Sequence, residues 1–308
     1  MALKQKVINI LVSSIWLIAL AASGYLIYFI IMDTLPPPPP PNPTENLFIY
    51  KHQKDIEIMK SMSNFKDCKV LYKNISSSMK EDIINSFIDD NQFNSLDKAL
   101  NSTYIELFIA ITNHYFEQPE WKTEDLTFFR GELQTLWRPN FIERGSPIDI
   151  QFAEIQAVFN KYDEIVRFIN DSKRFSFSGY TLSDRFPISD VKNIISRAAT
   201  YRNNNLENSY VNNCVRLHTG LKEIPQALFE AHLRYLKNKI SRWTGFYSYY
   251  NSQNDYINIF LQPFTDEIDA LNNNTYNVSN LERERQSLID RLNADRENSI
   301  RYFNSRRN

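Results

Sequence analysis

Glycine is scarce, with six residues in a chain of 308, against a usual share of ~7%. Loops that cradle phosphate need glycine so that backbone N–H groups can reach the ligand. Neither the G-x-G-x-x-G nor the G-x-x-x-x-G-K pattern occurs, which excludes the common nucleotide-binding loops. Cysteine is scarcer still. Two residues make neither a disulfide scaffold nor a four-cysteine zinc site. The four histidines, His52, His114, His218 and His232, never fall three or four residues apart, and no H-E-x-x-H is present, so the usual helical zinc arrangement is missing. A G-x-S-x-G elbow is absent as well. Charge of one sign is also lacking: 35 basic against 36 acidic residues give −1, with no basic field for nucleic acid. The composition therefore implies no cofactor, no metal and no nucleic-acid partner.

What is present begins with a long apolar run. From Val7 to Met32 no residue is charged. A bilayer core about 30 Å thick needs roughly 20 apolar residues, so 7–32 reads as a transmembrane signal anchor. The apolar run continues through Tyr25 to Ile31, beyond the about 7–15 residues of a cleaved signal peptide. Lys4 and Lys6 precede the span, and Asp33 and Glu45 follow it. The positive-inside bias then keeps residues 1–6 in the cytoplasm and exports the rest.

Residues 33–45 form a spacer. Pro36 to Pro41 is unbroken and Pro43 follows. Polyproline is a stiff extended helix rising about 3.1 Å per residue, without internal hydrogen bonds.

The remainder, 46–308, patterns as helix, and the expected class is all-α, an irregular multi-helix, bundle-like body. The clearest helix opens at Ser146-Pro147-Ile148-Asp149: a capping serine, a proline in the first turn, and an acid at the positive end of the dipole. Its apolar stripe runs Phe152, Ile155, Phe159, Tyr162, Val166, Ile169, the 3- and 4-residue steps of one helix face. A second stripe, Phe229, Leu233, Leu236, Ile240, Trp243, is entered through Pro225. A third helix, from Ser95 to about Phe116, is apolar nearly all round. Ser279 and Glu282 have capping-box spacing for a last helix. Weaker helical segments are 46–64, 79–92, 123–137, 188–204 and 254–271. Breaks are expected at Pro119, 139–145, 175–187, 220–225 and the Asn-rich 272–280, and 173–187 is the best place for a subdivision.

Chemistry-bearing patterns are thin. Ser-x-x-Lys occurs at Ser63/Lys66, Ser77/Lys80 and Ser189/Lys192, without its companion motifs. Acidic clusters lie at Asp89/Asp90, Asp163/Glu164 and Asp266/Glu267/Asp269. Paired carboxylates can serve as acid and base, but on helices such clusters are usually solvated faces. His114 and Glu117 sit one turn apart, where capping or packing is the simpler role. Two candidate partner-binding surfaces stand out. One is the aromatic stretch with Tyr247, Tyr249 and Tyr250; the other is the terminal helix with Arg301, Arg306 and Arg307. Bundle core and a frayed tail are the competing readings. Cys68 and Cys214 are candidates for a disulfide outside the cytoplasm. The five Asn-x-Ser/Thr sites read as chance in an Asn-rich chain with the composition of an AT-rich bacterium.

Taken together, the sequence is read as a single-pass inner-membrane protein with a periplasmic helical body. That body has no catalysis of its own, and acts as a scaffold or subunit of an envelope machine for secretion, transport or the cell wall. Its partners would be the bilayer through 7–32, other envelope proteins, and a second copy in a homo-oligomer. Two alternatives stand beside it: an envelope glycosidase using paired carboxylates, and a cytoplasm-facing tethered module.

Overall fold

The structure is a computed structural model that describes residues 47–138, 142–179, 181–203 and 212–306. The expected span 7–32, the proline spacer and Arg307 lie outside the described residues. Among the described residues every regular element is helical, and no helix is long and apolar enough to cross a membrane. The chain divides into two compact units, Met1–Tyr104 and Ile105–Asn308. The boundary falls inside a helix, and the stretch 173–187 lies within the second unit.

The first unit contains α1 (Leu47–Lys60), α2 (Phe65–Ile84) and the start of α3 (Asp90–Glu117). The sequence reading left 65–78 without a helix. In fact α2 fills it, with a stripe at 65, 68, 72, 75 and 79 that Cys68 and Tyr72 carry alongside Phe65, Ile75 and Met79. Asn64 caps α2 by accepting from the Lys66 N–H at 2.9 Å. Tyr104 of α3 stacks on Phe65 at 5.0 Å and on Tyr72 at 4.2 Å. Each such buried side chain contributes about 1.5–3 kcal/mol. One polar pair joins the core: His52 Nε2 and Asp82 Oδ2, both buried, are 2.6 Å apart.

The second unit starts with the rest of α3 and continues through α4 (Thr123–Leu136), α5 (Pro147–Lys173), α6 (Ile188–Asn203) and α7 (Val215–Trp243). Ser146 caps α5 as expected, accepting from Asp149 N at 3.2 Å. The α5 stripe is buried as expected except at one step, where Ile165 is buried in place of Val166, which is half-buried. Rings knit the core, with Phe108 edge-on to Phe152 at 5.7 Å and Phe116 edge-on to Phe159 at 5.2 Å.

A break at 220–225 is not found. α7 begins at Val215 and runs straight through Gly220 and Pro225. Pro225 removes one backbone donor, a local loss that packing outweighs. Gly220 lets α7 approach α5: a Cβ there would meet Ile169 Cδ1 at 2.9 Å and Cγ2 at 3.1 Å.

After α7 the chain turns at Gly245 (φ 82°), a left-handed conformation that favours glycine. A 3₁₀ turn (Tyr247–Tyr249) leads to α8 (Gln253–Tyr256), a π turn (Ile257–Leu261) and α9 (Gln262–Asp269). Pro263 explains the π turn: it has no N–H for the carbonyl four residues back, and the ladder widens, with Gln262 N bonding Ile257 O. A short α10 (Asn273–Tyr276) precedes α11 (Leu281–Ser305). The expected capping box is absent. Asn280, one residue after Ser279, occupies the cap and makes no side-chain bond.

Candidate functional site

The last two turns of α7 carry the densest buried chemistry. Tyr235, Lys239 and the α9 residue Glu267 are 4, 3 and 8% exposed. Lys239 sits in the inward sector of α7, so its ammonium must be satisfied inside the protein. Its three N–H donors find three acceptors. These are the Tyr235 hydroxyl at 2.8 Å, the Asp184 carbonyl, and Glu267 Oε2 at 3.5 Å. Burial pulls the Lys239 pKa down, and Glu267 opposes that shift. The Tyr235 hydroxyl lies 2.7 Å from Asp184 O and 3.2 Å from Glu267 Oε1. Burial and the neighbouring Glu267 raise its pKa and keep it protonated. The Phe186 N–H donates to Glu267 Oε1 at 3.3 Å. These bonds tie Asp184 and Phe186 to α7 and α9.

His232, one helical step before Tyr235, is fully buried. It stacks flat on Phe186, 4.1 Å between centroids, and its Nδ1 is 2.9 Å from the Tyr276 hydroxyl. Burial pushes its pKa down to about 3, so the ring is neutral. Its Nε2 has no hydrogen-bond partner.

Over Tyr235 and Lys239 is a cleft of about 430 Å³ lined by Phe177, Ser178, Gly179, Tyr235, Asn238, Lys239, Ser241, Arg242 and Trp243. It is aromatic and carries cations, and among the described residues no carboxylate lines it. A second cleft of about 320 Å³ is lined by Arg185, Phe186, His232 and Glu267 among others. A third, about 570 Å³, lies along α5 and α6 and includes Glu164, Asp171 and Arg197. There Glu164 accepts from Tyr201 at 2.5 Å, and that bond holds its pKa below the usual range.

The structure brings the two candidate partner surfaces into one neighbourhood. Asp295 of α11 is buried under the aromatic turn. It accepts from Tyr247 at 2.5 Å, from the Tyr256 hydroxyl, and from the Gly245 N–H. Burial raises the Asp295 pKa, against the pull of those bonds. Tyr247 also packs on Tyr302 at 5.4 Å, and Arg306 lies over Tyr302 at 5.2 Å. Tyr247 is thus spent on holding the turn, and Tyr250 packs edge-on to Tyr256 at 5.1 Å. Tyr249, 78% exposed, and Phe246, 41% exposed, face outward 5.7 Å apart. Arg301 on α11 and Arg306, the residue that ends it, are exposed.

Cys68 and Cys214 are buried free thiols, one in each unit; burial lifts the pKa of Cys68 to about 11 and raises that of Cys214. His114 and Glu117 make an exposed contact at 3.4 Å. Asp163 pairs with Arg130 at 2.8 Å, and Asp269 with Arg285. Among the described residues no three His, Cys, Asp or Glu side chains gather as a metal site would require.

Sequence reasoning passed over Lys239 and Asp295, and read Glu267 only as a member of the solvated cluster Asp266/Glu267/Asp269. The signal was present. Lys239 and His232 interrupt the inward sector of α7, and Asp295 falls on the 288, 292, 295, 299 stripe of α11. A charge on an apolar stripe marks a buried network.

No family model matches the chain, and neither a curated protein nor a solved structure is similar to it.

Proposed function

We propose that the chain is a single-pass scaffold protein of the bacterial envelope. Its helical body stands outside the cytoplasm on the proline spacer and serves as a subunit of a secretion, transport or cell-wall assembly. The observation that carries partner binding is the convergence of the aromatic turn with the end of α11. Tyr249 and Phe246 are outward on a turn that Asp295 holds from beneath, and Arg301 and Arg306 lie on and at the end of the helix joined to it through Tyr302. Tyrosine and arginine dominate interface hot spots. A turn already fixed by buried bonds loses little entropy on binding. The complementary partner is an envelope protein presenting an apolar pocket flanked by acidic residues.

The test is purification of the full chain from its native host in mild detergent, with co-purifying proteins identified by mass spectrometry. Stoichiometric partners that are lost from a Tyr249→Ala/Arg301→Glu variant support the reading. A clean preparation without partners, or partners indifferent to the variant, overturns it. The topology has its own check: a phosphatase reporter fused after Asn308 is active only if the body is exported. The glycosidase alternative requires two carboxylates about 5–10 Å apart in a sugar-sized cleft; the α5–α6 cleft, with Glu164 and Asp171 in its lining, is where it would be tested by Glu164→Gln and Asp171→Asn.

A further inference from the structure

We propose that the cleft at the end of α7 is a saccharide-binding site, taking a neutral pyranose unit of a glycan. The inference does not depend on the membrane reading or on the partner surface. It rests on three properties of the cleft.

The first is size and rigidity. At about 430 Å³ the cleft lies in the range of small-ligand pockets, roughly 300–1,000 Å³. Its floor is preformed: Tyr235 and Lys239 are locked by Asp184 O and Glu267. Gly179 packs too tightly at the rim for a side chain, since a Cβ would stand 2.6 Å from Asp184 Cβ and 2.8 Å from Phe177 Cε1.

The second is the kind of surface. Trp243 and Phe177 are half-buried and Tyr235 closes the wall. Aromatic faces match the C–H face of a pyranose ring. Around them Ser178, Asn238 and Ser241 are exposed. Hydroxyl and amide groups both donate and accept, as a polyhydroxylated ligand demands; a purely apolar ligand would leave them unsatisfied.

The third is charge, which is modest. The Lys239 ammonium is matched by Glu267 at 3.5 Å, so the floor is close to neutral. The cleft sits at the carbonyl end of α7, whose dipole offsets part of the Arg242 charge, so a neutral ligand needs no counter-charge there. Among the described residues no carboxylate lines the cleft, so the site is proposed for binding and not for hydrolysis.

The experiment titrates the full chain in detergent with a panel of hexasaccharides: β-1,4-N-acetylglucosamine, α-1,4-glucose, β-1,4-mannose and β-1,4-xylose. Inorganic phosphate serves as the anionic control, and heat is read by calorimetry. Saturable binding of at least one glycan is expected, weakened about tenfold or more by Trp243→Ala and by Asn238→Ala. Asn238 is exposed, so its variant keeps the fold, and an unchanged melting curve verifies that. Tyr249→Ala should bind glycan as the parent does, which separates this site from the partner surface. Absence of saturation by every glycan, saturation by phosphate alone, or full affinity in the Asn238→Ala variant overturns the proposal.

Discussion

The smaller first unit exposes large apolar side chains more densely than the second. The first leaves apolar groups outside. Leu47, Tyr50 and Ile58 of α1 are 76, 57 and 47% exposed, on the face opposite the buried His52, Ile56 and Met59. Val70, Ile84 and Phe87 are exposed as well. Both bury polar groups: the first the pair His52 and Asp82, the second the larger set Lys239, Glu267, His232 and Asp295. A small helical unit has too little interior for all its apolar side chains. The larger one has enough interior to enclose charges, provided each finds a partner. The second unit should therefore be brittle at a few buried polar positions, and the outer face of the first should be indifferent to change.

The largest effect is expected at the Lys239–Glu267 pair. Glu267→Ala leaves the buried Lys239 ammonium without its counter-charge and should cost about 3–5 kcal/mol, measured by urea denaturation. Replacing both partners, Lys239→Met with Glu267→Leu, should recover most of that loss, because a buried ion pair contributes little net stability over apolar packing of similar volume. If Glu267→Ala melts like the parent, the second unit is not brittle in the way its burial implies.

The next effect is a pH dependence. His232 titrates near 3 in the folded chain and near about 6.5 when unfolded. Between those values the unfolded chain binds a proton that the folded chain refuses. Stability therefore falls as pH drops from about 6.5 towards 3, by at most about 1.4 kcal/mol per pH unit. Asp295 has the opposite sign. Its raised pKa gives stability that is present at low pH and lost as pH rises through the folded value. His232→Gln should flatten the acid limb measured by thermal melts at stepped pH. Asp295→Asn should remove the opposing contribution and leave that limb steeper.

Close packing comes third. Gly220→Ala pushes a methyl group into Ile169, itself buried at 7% exposure, and should cost about 1–3 kcal/mol through overpacking. Ile169→Val in the same chain should relieve part of it. Equal losses in the single and double variants would show that α5 and α7 are not in tight contact there.

These positions mark what was legible in the sequence. The all-helical class and the Ser146–Asp149 start of α5 were readable, because caps and stripes are local. The helix α2 was not, since Cys68 and Tyr72 complete a stripe that Phe65, Ile75 and Met79 leave incomplete. Pro225 and Gly220 read as a break, because punctuation is local and the packing of α7 against α5 is not. The site was half legible. The exposed Tyr249 and the arginines of α11 were singled out, but their meeting through Tyr247 and Tyr302 needs the fold. Lys239 and Glu267 are 28 residues apart in sequence, and no local pattern pairs them.

The smallest effect is predicted on the outer face of the first unit. Ile84, the last residue of α2, is 79% exposed. Its side chain stays in water in folded and unfolded chain alike, so its removal changes little transfer free energy. Ile84→Ser should alter stability by less than about 0.5 kcal/mol, as surface substitutions usually do. Phe152→Ala, at a ring with no exposed surface, should cost about 3–5 kcal/mol. The pair, measured side by side in urea, tests the contrast at its weak end. A near-zero shift at Ile84 with a large one at Phe152 is expected. A loss above 1 kcal/mol for Ile84→Ser would mean that this face is covered in solution, and the first unit would then owe part of its stability to whatever covers it.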